Sequence, residues 1–509
     1  MRISRYNLWV SLLMLGSVAP GVRAQQQDPQ PQTQQPSQEP QAPPNQGGQP
    51  IPPAREPVLR RAVGGVMGNG QADDARPQEL VPDYRPITGA QALPLGAPKT
   101  AHNFWQPYLD FIATGDSNAL VSSTNTGWIT WESLAGGVDV NHVSGNSDLK
   151  LSYQGAASFS NDANVGNAYS QQLAVAERLT LRRYTVTFLD EVGYLPASAF
   201  GYGGFGTVLS TGGLPALQGT FTPDQSILTA RGQRISNSFV TQVDASLTPR
   251  STVTFLGSYG LLHYLDQNLI DSHDVIFQTG YNYLLSRKDT IAVLYRFDGF
   301  RYTSGVSQSI DSHSVQLSYA RRVTGRLVFQ VAAGPAITFS RLPISGSQGV
   351  STGTAQTGAT ASKTRDIFGD VNVSATYQLR RAVLGLYYDH GVSGGSGVLA
   401  GAVTDNLSVN GTRQISRATT GTLTGGYSRN KGPALATTFT SLTNQTYNYW
   451  FAGANLSRSW GRSMNVSMIY QLQYQDSNSQ FCITLPCGTS FVHHVISFEL
   501  GWHPRSIGL

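Results

Sequence analysis

Charge is scarce in this chain. Lys, Arg, Asp and Glu together make up 13% of its 509 residues, about half the roughly 25% of an ordinary soluble domain. Wholesale disorder is excluded, because a chain that cannot fold is usually richer in charge and poorer in rings than one with 10% aromatics. Long apolar runs are missing as well. Beyond the extreme N-terminus no segment approaches the roughly 18 apolar residues that a membrane helix needs, which excludes a helical membrane protein. The missing charge has not been replaced by extra core, since apolar residues reach only 40%. Its place is taken by 54 glycines, by Ser, Thr, Asn and Gln, and by aromatic residues. That mixture suits β-structure with one polar but mostly uncharged face.

Residues 1–24 have the three parts of a secretory signal. Arg2 and Arg5 form a basic start, Trp9 to Leu15 a short apolar stretch, and Val22-Arg23-Ala24 a cleavage site with small residues at −3 and −1. The apolar stretch is too short to span a membrane, so cleavage after Ala24 is expected, with the mature chain outside the cytoplasm. From Gln25 to Pro50, 18 of 26 residues are Gln or Pro. Such a stretch has almost nothing to bury, and residues 25–60 read as a disordered, solvated linker. Residues 61–106 are expected to be an irregular periplasmic segment, with a plug role as its alternative.

From there to about residue 503 the chain alternates with period two. Met464, Val466, Met468, Tyr470, Leu472 and Tyr474 interleave with Asn465, Ser467, Ile469, Gln471 and Gln473; Val371, Val373, Ala375, Tyr377 and Leu379 do the same with Asn372, Ser374, Thr376, Gln378 and Arg380. Alternation gives each strand one apolar and one polar face, as a soluble sandwich also would. Connection length separates the two. Short turns lie near Gly145-Asn146, Arg182-Arg183, Pro249-Arg250, Arg287-Lys288, Thr324-Gly325, Arg380-Arg381, Arg417-Ala418 and Gly461-Arg462. Between them lie longer Gly-, Ser-, Thr- and Asn-rich connections, notably 196–234, 341–363 and 430–445. Short turns at one end and long loops at the other mark an outer-membrane barrel whose short side is periplasmic. The fold class expected is therefore all-β: a transmembrane antiparallel β-barrel over 107–503 with about 18 strands, 16 as the alternative, after a disordered N-terminal tether and before a tail at 504–509.

The signal peptide, the Gln/Pro tether, the FIATGDSN stretch at 111–118 and the hairpin series together resemble porin-type outer-membrane β-barrels of Gram-negative bacteria. The resemblance implies an outer-membrane location and a pore, and carries over no catalytic or binding residue. The last strand places Ile496, Phe498, Leu500 and Trp502 outward, similar to the aromatic-rich terminal strand read by barrel-assembly machinery. Aromatic girdles at the membrane interfaces are expected from Trp131, Tyr184, Tyr259, Tyr281, Tyr388, Trp450, Trp460 and Trp502.

Several groups of residues carry chemistry. Arg182, Arg183, Arg250, Arg287, Lys288, Arg321, Arg322, Arg326, Arg380, Arg381, Arg417, Arg458 and Arg462 sit in or beside the short turns. Such a ring suits anchoring to anionic outer-membrane lipid at the periplasmic rim, or alternatively an anion-attracting vestibule or a dock for a periplasmic partner. No basic segment interleaves with aromatics on one face, so no nucleic-acid partner is expected. By parity, Asp139, Glu191, Asp244, Asp298, Asp389 and Glu499 face the lumen against Lys150, Arg178 and Arg296. Six acids against three bases bias a pore toward cations, unless the charges pair across strands and brace the wall. Asp271-Ser272-His273 and Asp311-Ser312-His313, with His263 and Asp389-His390, gather ligand-type residues at the outer rim, without the close spacing of a metal motif. Cys482 and Cys487 are expected to form a small disulfide loop. No nucleophile signature, cofactor motif or catalytic set is found, so no enzyme is expected. The leading functional expectation is a porin-like channel for small polar solutes, with 196–234 as its constricting segment. The alternatives are a polymer-export component and a surface-display barrel with a closed lumen.

Overall fold

Period-two alternation over stretches of a dozen or more residues leaves each segment one stable choice, a long strand paired on both edges. The computed structural model describes residues 103–118, 127–162, 166–195, 233–265, 269–303, 308–342, 362–395, 399–432, 445–478 and 490–508. Eighteen of its strands form the wall: β1 (Phe104–Asp116), β2 (Ile129–Ser144), β3 (Ser147–Ser160), β4 (Ala168–Thr180), β5 (Tyr184–Leu195), β6 (Arg234–Thr248), β7 (Ser251–Tyr264), β8 (Ser272–Leu284), β9 (Asp289–Tyr302), β10 (Ser309–Arg322), β11 (Leu327–Leu342), β12 (Ser362–Gln378), β13 (Ala382–Gly395), β14 (Ala400–Gln414), β15 (Thr419–Lys431), β16 (Thr446–Trp460), β17 (Met464–Ser477) and β18 (Ser490–Trp502). A two-residue strand, β19 (Ile507–Gly508), folds back onto Phe104 and Trp105. Each strand pairs antiparallel with the next, and β1 pairs with β18 from Leu109↔Trp502 to Asp116↔Val495. Eighteen strands closing edge to edge form a barrel, with no free sheet edge along that seam.

The turns fall where the sequence places them. Gly145, between β2 and β3, has φ +53°, a left-handed conformation that glycine adopts without strain. The long connections include 196–233 between β5 and β6, and 343–361 between β11 and β12. The expected disulfide at Cys482 and Cys487, the constricting role of the 196–234 loop, the signal, and the 25–60 and 61–106 segments fall outside the described residues, apart from residues 233–234 and 103–106, the last three of which already belong to β1.

One connection breaks the length rule. Residues 396–399 join β13 to β14 in a span as short as the turns at the opposite end. There the wall parts company with itself. β12 pairs with β13 only from Val371↔His390 to Gln378↔Val383, whereas β12 continues along β11 to Ser362 and β13 along β14 to Gly395. The freed end of β13–β14 leans inward. Tyr302 at the end of β9 donates its hydroxyl to the Gly394 carbonyl at 2.6 Å. Phe300, Tyr302 and Ile310 are buried against Ile270, Val392 and Ala400. Gly401 has φ +79°, and a Cβ there would strike Ile310 and approach the Tyr302 hydroxyl. Only glycine combines that backbone with that proximity.

Polarity is inverted relative to a soluble domain. Inward positions such as Ser152, Gln154, Gln242, Thr254, Ser258, Gln278, Ser318 and Gln475 are buried, while outward Leu109, Phe111, Leu134, Phe159, Val293, Leu317, Leu423 and Phe498 stand exposed. An informative surface is one that exposes a large contiguous apolar area, and here that area is a belt around the outer wall.

Candidate functional site: the inner wall and its two rims

The candidate site is the inner face of the barrel, because alternation turns the polar half of every strand toward it. All nine charged residues expected at the lumen lie at inward register positions. Asp139 on β2 accepts a hydrogen bond from Ser152 Oγ at 2.7 Å. Lys150 (β3) and Arg178 (β4) occupy the same face, with Arg178 directly opposite Asp148. Glu191 (β5) pairs in register with Ala174 and Ser238, both buried inside. Asp244 (β6) accepts from Thr254 Oγ1 at 2.7 Å and from Gln242 Nε2 at 2.6 Å. Glu499 (β18) lies opposite Ile112 on the inward face of β1.

Arg296, Asp298 and Asp389 come together. Arg296 Nε donates to both carboxylate oxygens of Asp298, at 2.8 and 2.9 Å, and Nη2 donates to Oδ1 at 2.6 Å. The two side chains are 16% and 8% exposed. Asp370 and Asp389 also act electrostatically on Arg296. Asn372 Nδ2 donates to Asp389 Oδ1 at 3.2 Å and to the Tyr387 hydroxyl at 2.9 Å. The hydrogen bonds thus join Arg296 to Asp298 within β9 and Asn372 to Tyr387 and Asp389 across β12 and β13, and charge alone couples the two sets. Bracing and charge display therefore occur in the same residues.

Sequence parity undercounted the acids. The inward faces also carry Asp110, Asp116, Asp148, Asp274, Asp366 and Asp370, and among bases Arg234 and Arg322. Added to the expected six and three, the described strands present twelve inward acids against five inward bases. Asp116 is held at the closing seam, where its carboxylate meets His493 Nε2 in full burial, and His493 Nδ1 meets Gln473 Oε1 at 3.1 Å. The inner wall is not uniformly polar, however. Leu189, Val240, Leu256 and Ile276 pack together on the inward faces of β5 to β8.

The turn-side bases are placed as follows. Arg182, Arg183, Arg250, Arg287, Lys288, Arg380, Arg381, Arg417 and Arg462 are exposed in the short turns, Arg326 is half-buried in one, and Arg321 and Arg458 are exposed at strand ends beside them. Arg322 departs from the expected rim: it is buried and turned inward, one register step from outward Arg321. Trp131 departs from the expected girdle for the same reason. It shares the inward parity of Ile129 and Ser133 and is 2% exposed. Tyr184, Tyr259, Tyr281, Trp450, Trp460 and Trp502 are exposed on the outer wall.

The DSH strings divide between several partners. Asp271 meets His263 Nδ1 at 2.8 Å and accepts from the Tyr264 amide at 2.8 Å. Asp311 pairs with Arg301 at 2.6 Å. His313 lies among Tyr295, Phe297 and Phe339. His390 meets Asp405 at 2.6 Å on the outer face, away from Asp389. Among the described residues no three such side chains converge as a metal set would.

No family model matches the chain, and no curated protein sequence matches it. Solved structures to which it is similar include Pseudomonas aeruginosa OpdQ, at 9% identity over 79% of this chain and 97% of that one, with a TM-score of 0.39. Pseudomonas aeruginosa OpdL is similar at 9% identity over 80% and 100%, with a TM-score of 0.38. A BenF-like porin from Pseudomonas fluorescens Pf-5 is similar at 10% identity over 79% and 99%, with a TM-score of 0.38.

Proposed function

We propose that the chain is an outer-membrane channel through which small polar solutes diffuse, with a preference for cations. One observation carries this reading: a closed 18-strand wall with its polar residues inside and its large apolar residues outside. Water cannot solvate such an exterior favourably, whereas a bilayer can, and a closed barrel leaves no unpaired strand edge in the lipid. Strands of 12 to 17 residues exceed the 9–11 that a tilted strand needs to cross. Their ends thus reach both headgroup layers. Most bacterial barrels of this kind keep short turns in the periplasm and long loops outside, which orients the Arg-rich turns inward to the cell.

Passage, rather than chemistry, is the activity. The twelve inward acids, Asp139, Glu191, Asp244, Asp298, Asp389 and Glu499 among them, supply the field of the inner wall, with Lys150, Arg178, Arg296 and the two other inward bases compensating only in part. The inturned β13–β14 end narrows the loop-side mouth. The exposed turn-side bases anchor to anionic lipid, and the terminal strand is the signal for assembly machinery. A leading signal peptide and a Gln/Pro linker complete the proposed organisation.

Planar-bilayer recording tests the proposal directly. Purified, folded protein should give discrete conductance steps with a reversal potential of cationic sign under a salt gradient. Folded protein that inserts yet gives no steps and passes no solute in liposome swelling would exclude a channel.

A further inference from the structure

The outer wall carries a feature at its loop end that no turn-side rim explains. Register places residues of β8 to β12 in rows. In the row nearest the loops, His273 lies opposite Arg301, Arg301 opposite Ser309, Ser309 opposite Arg341 and Arg341 opposite Lys363. In the next row, Asp311 lies opposite Phe339 and Phe339 opposite Arg365. The row below is apolar or aromatic, with Phe297, His313, Ile337 and Ile367 in succession. All of these share the outward parity of exposed Val315 and Leu317. The wall therefore changes from apolar to cationic within four residues of strand, or about 13 Å.

The charge here is unbalanced. Four Arg and Lys side chains face one carboxylate, Asp311, which holds Arg301 at 2.6 Å and stands 3.9 Å from Arg341. Neighbouring Asp366 belongs to the opposite face of β12. Arg341 and Lys363 are directly opposed across strands, an arrangement of like charges that is unfavourable without an intervening anion. Lys363 Nζ lies 4.9 Å from the centre of the Phe339 ring, which keeps the ammonium at the wall instead of in solvent. Arg341, Lys363 and Arg365 are exposed.

We infer that Arg341, Lys363 and Arg365 bind the phosphate of a phosphorylated lipid headgroup in the loop-side leaflet. Guanidinium and ammonium donors suit phosphate oxygens, and the apolar row beneath receives the acyl chains of the same molecule. A soluble anion would use only the first half of that surface. The inference rests on the proposed membrane orientation of the wall.

The test uses the full folded chain in detergent micelles, titrated with bisphosphorylated lipid A, with its dephosphorylated counterpart and with inorganic phosphate. Bound lipid and the thermal unfolding midpoint are the readouts. The bisphosphorylated lipid should bind and raise the midpoint, and the other two should not. The triple variant R341S/K363S/R365S should bind about tenfold or more weakly, whereas R341K/K363R/R365K should retain binding. Heat-dependent migration on gels reports that each variant is folded. Equal binding by the serine variant, or an equal response to inorganic phosphate, overturns the lipid assignment. Channel steps from a variant that has lost lipid binding separate the two ideas. If the wild type conducts but binds no lipid, this inference fails alone; if it neither conducts nor inserts, the channel reading fails.

Discussion

Arg296 and Asp298 stand two residues apart on β9, face inward together, and are joined by three hydrogen bonds between 2.6 and 2.9 Å. Both are poorly exposed, so removing one strands the other. Arg296→Gln should lower unfolding stability by about 3–5 kcal/mol, the range for breaking a buried pair. It should also raise the cation preference of the channel, because Asp298, Asp370 and Asp389 lose their nearest compensating charge. Denaturant titration and reversal potentials measure the two effects separately.

Neutralising acids away from that pair should act in the opposite sense. Asp139→Asn with Asp244→Asn removes two inward charges that accept hydroxyl and amide donors; the asparagine oxygen can still accept from Ser152 at 139 and from Gln242 at 244, where its amide can donate to the Thr254 hydroxyl instead. The barrel should fold normally and its cation-to-anion permeability ratio should fall. An unchanged ratio would place selectivity elsewhere on the wall.

The inturned end of β13–β14 depends on small contacts. Tyr302→Phe removes the donor to Gly394, at a cost of about 1–3 kcal/mol for the orphaned carbonyl. Gly401→Val adds side-chain bulk where a Cβ would already strike Ile310. Both changes should release the end from β9 and β10. Single-channel conductance should rise, more for Gly401→Val than for Tyr302→Phe.

Closure of the barrel has its own polar lock. Thr114 Oγ1 and Ser497 Oγ are 2.9 Å apart across the β1–β18 seam, and Asp116 meets His493 beside them, both essentially buried. Asp116→Ala should lower the unfolding midpoint in urea measurably more than Asp476→Ala at an outward position of β17, because only the first leaves a buried partner unsatisfied.

Much of this wall is readable from residue order, and the reasons are local. The parity of Asp139 or Glu499 is fixed by neighbours one and two residues away, and the Arg182-Arg183 and Gly461-Arg462 turns are punctuated in the chain itself. Trp131 falls on the inner face although a ring near a strand end has the same local signature on either face; parity with Ile129 and Ser133 decides it. The remaining surprises depend on register between strands. Arg301, Arg341, Lys363 and Arg365 are spread over 65 positions of sequence and become neighbours only through three ladders. The departure of β13 from β12 is likewise invisible to alternation, since Gly391, Val392 and Ser393 remain strand-like and simply pair on one edge.

The seam between Leu109–Asp116 and Val495–Trp502 is the contact that closes the wall. Without β18, the other seventeen strands make a sheet with two open edges, a template for joining other chains. Such a sheet has two surfaces but no interior, so the sorting of polar from apolar residues has as yet nothing to separate. The last strand contributes one eighteenth of the strands, and its docking is the step that divides space. A chain ended before Ser490 should be found in aggregates, with no half-formed pore as an intermediate prize.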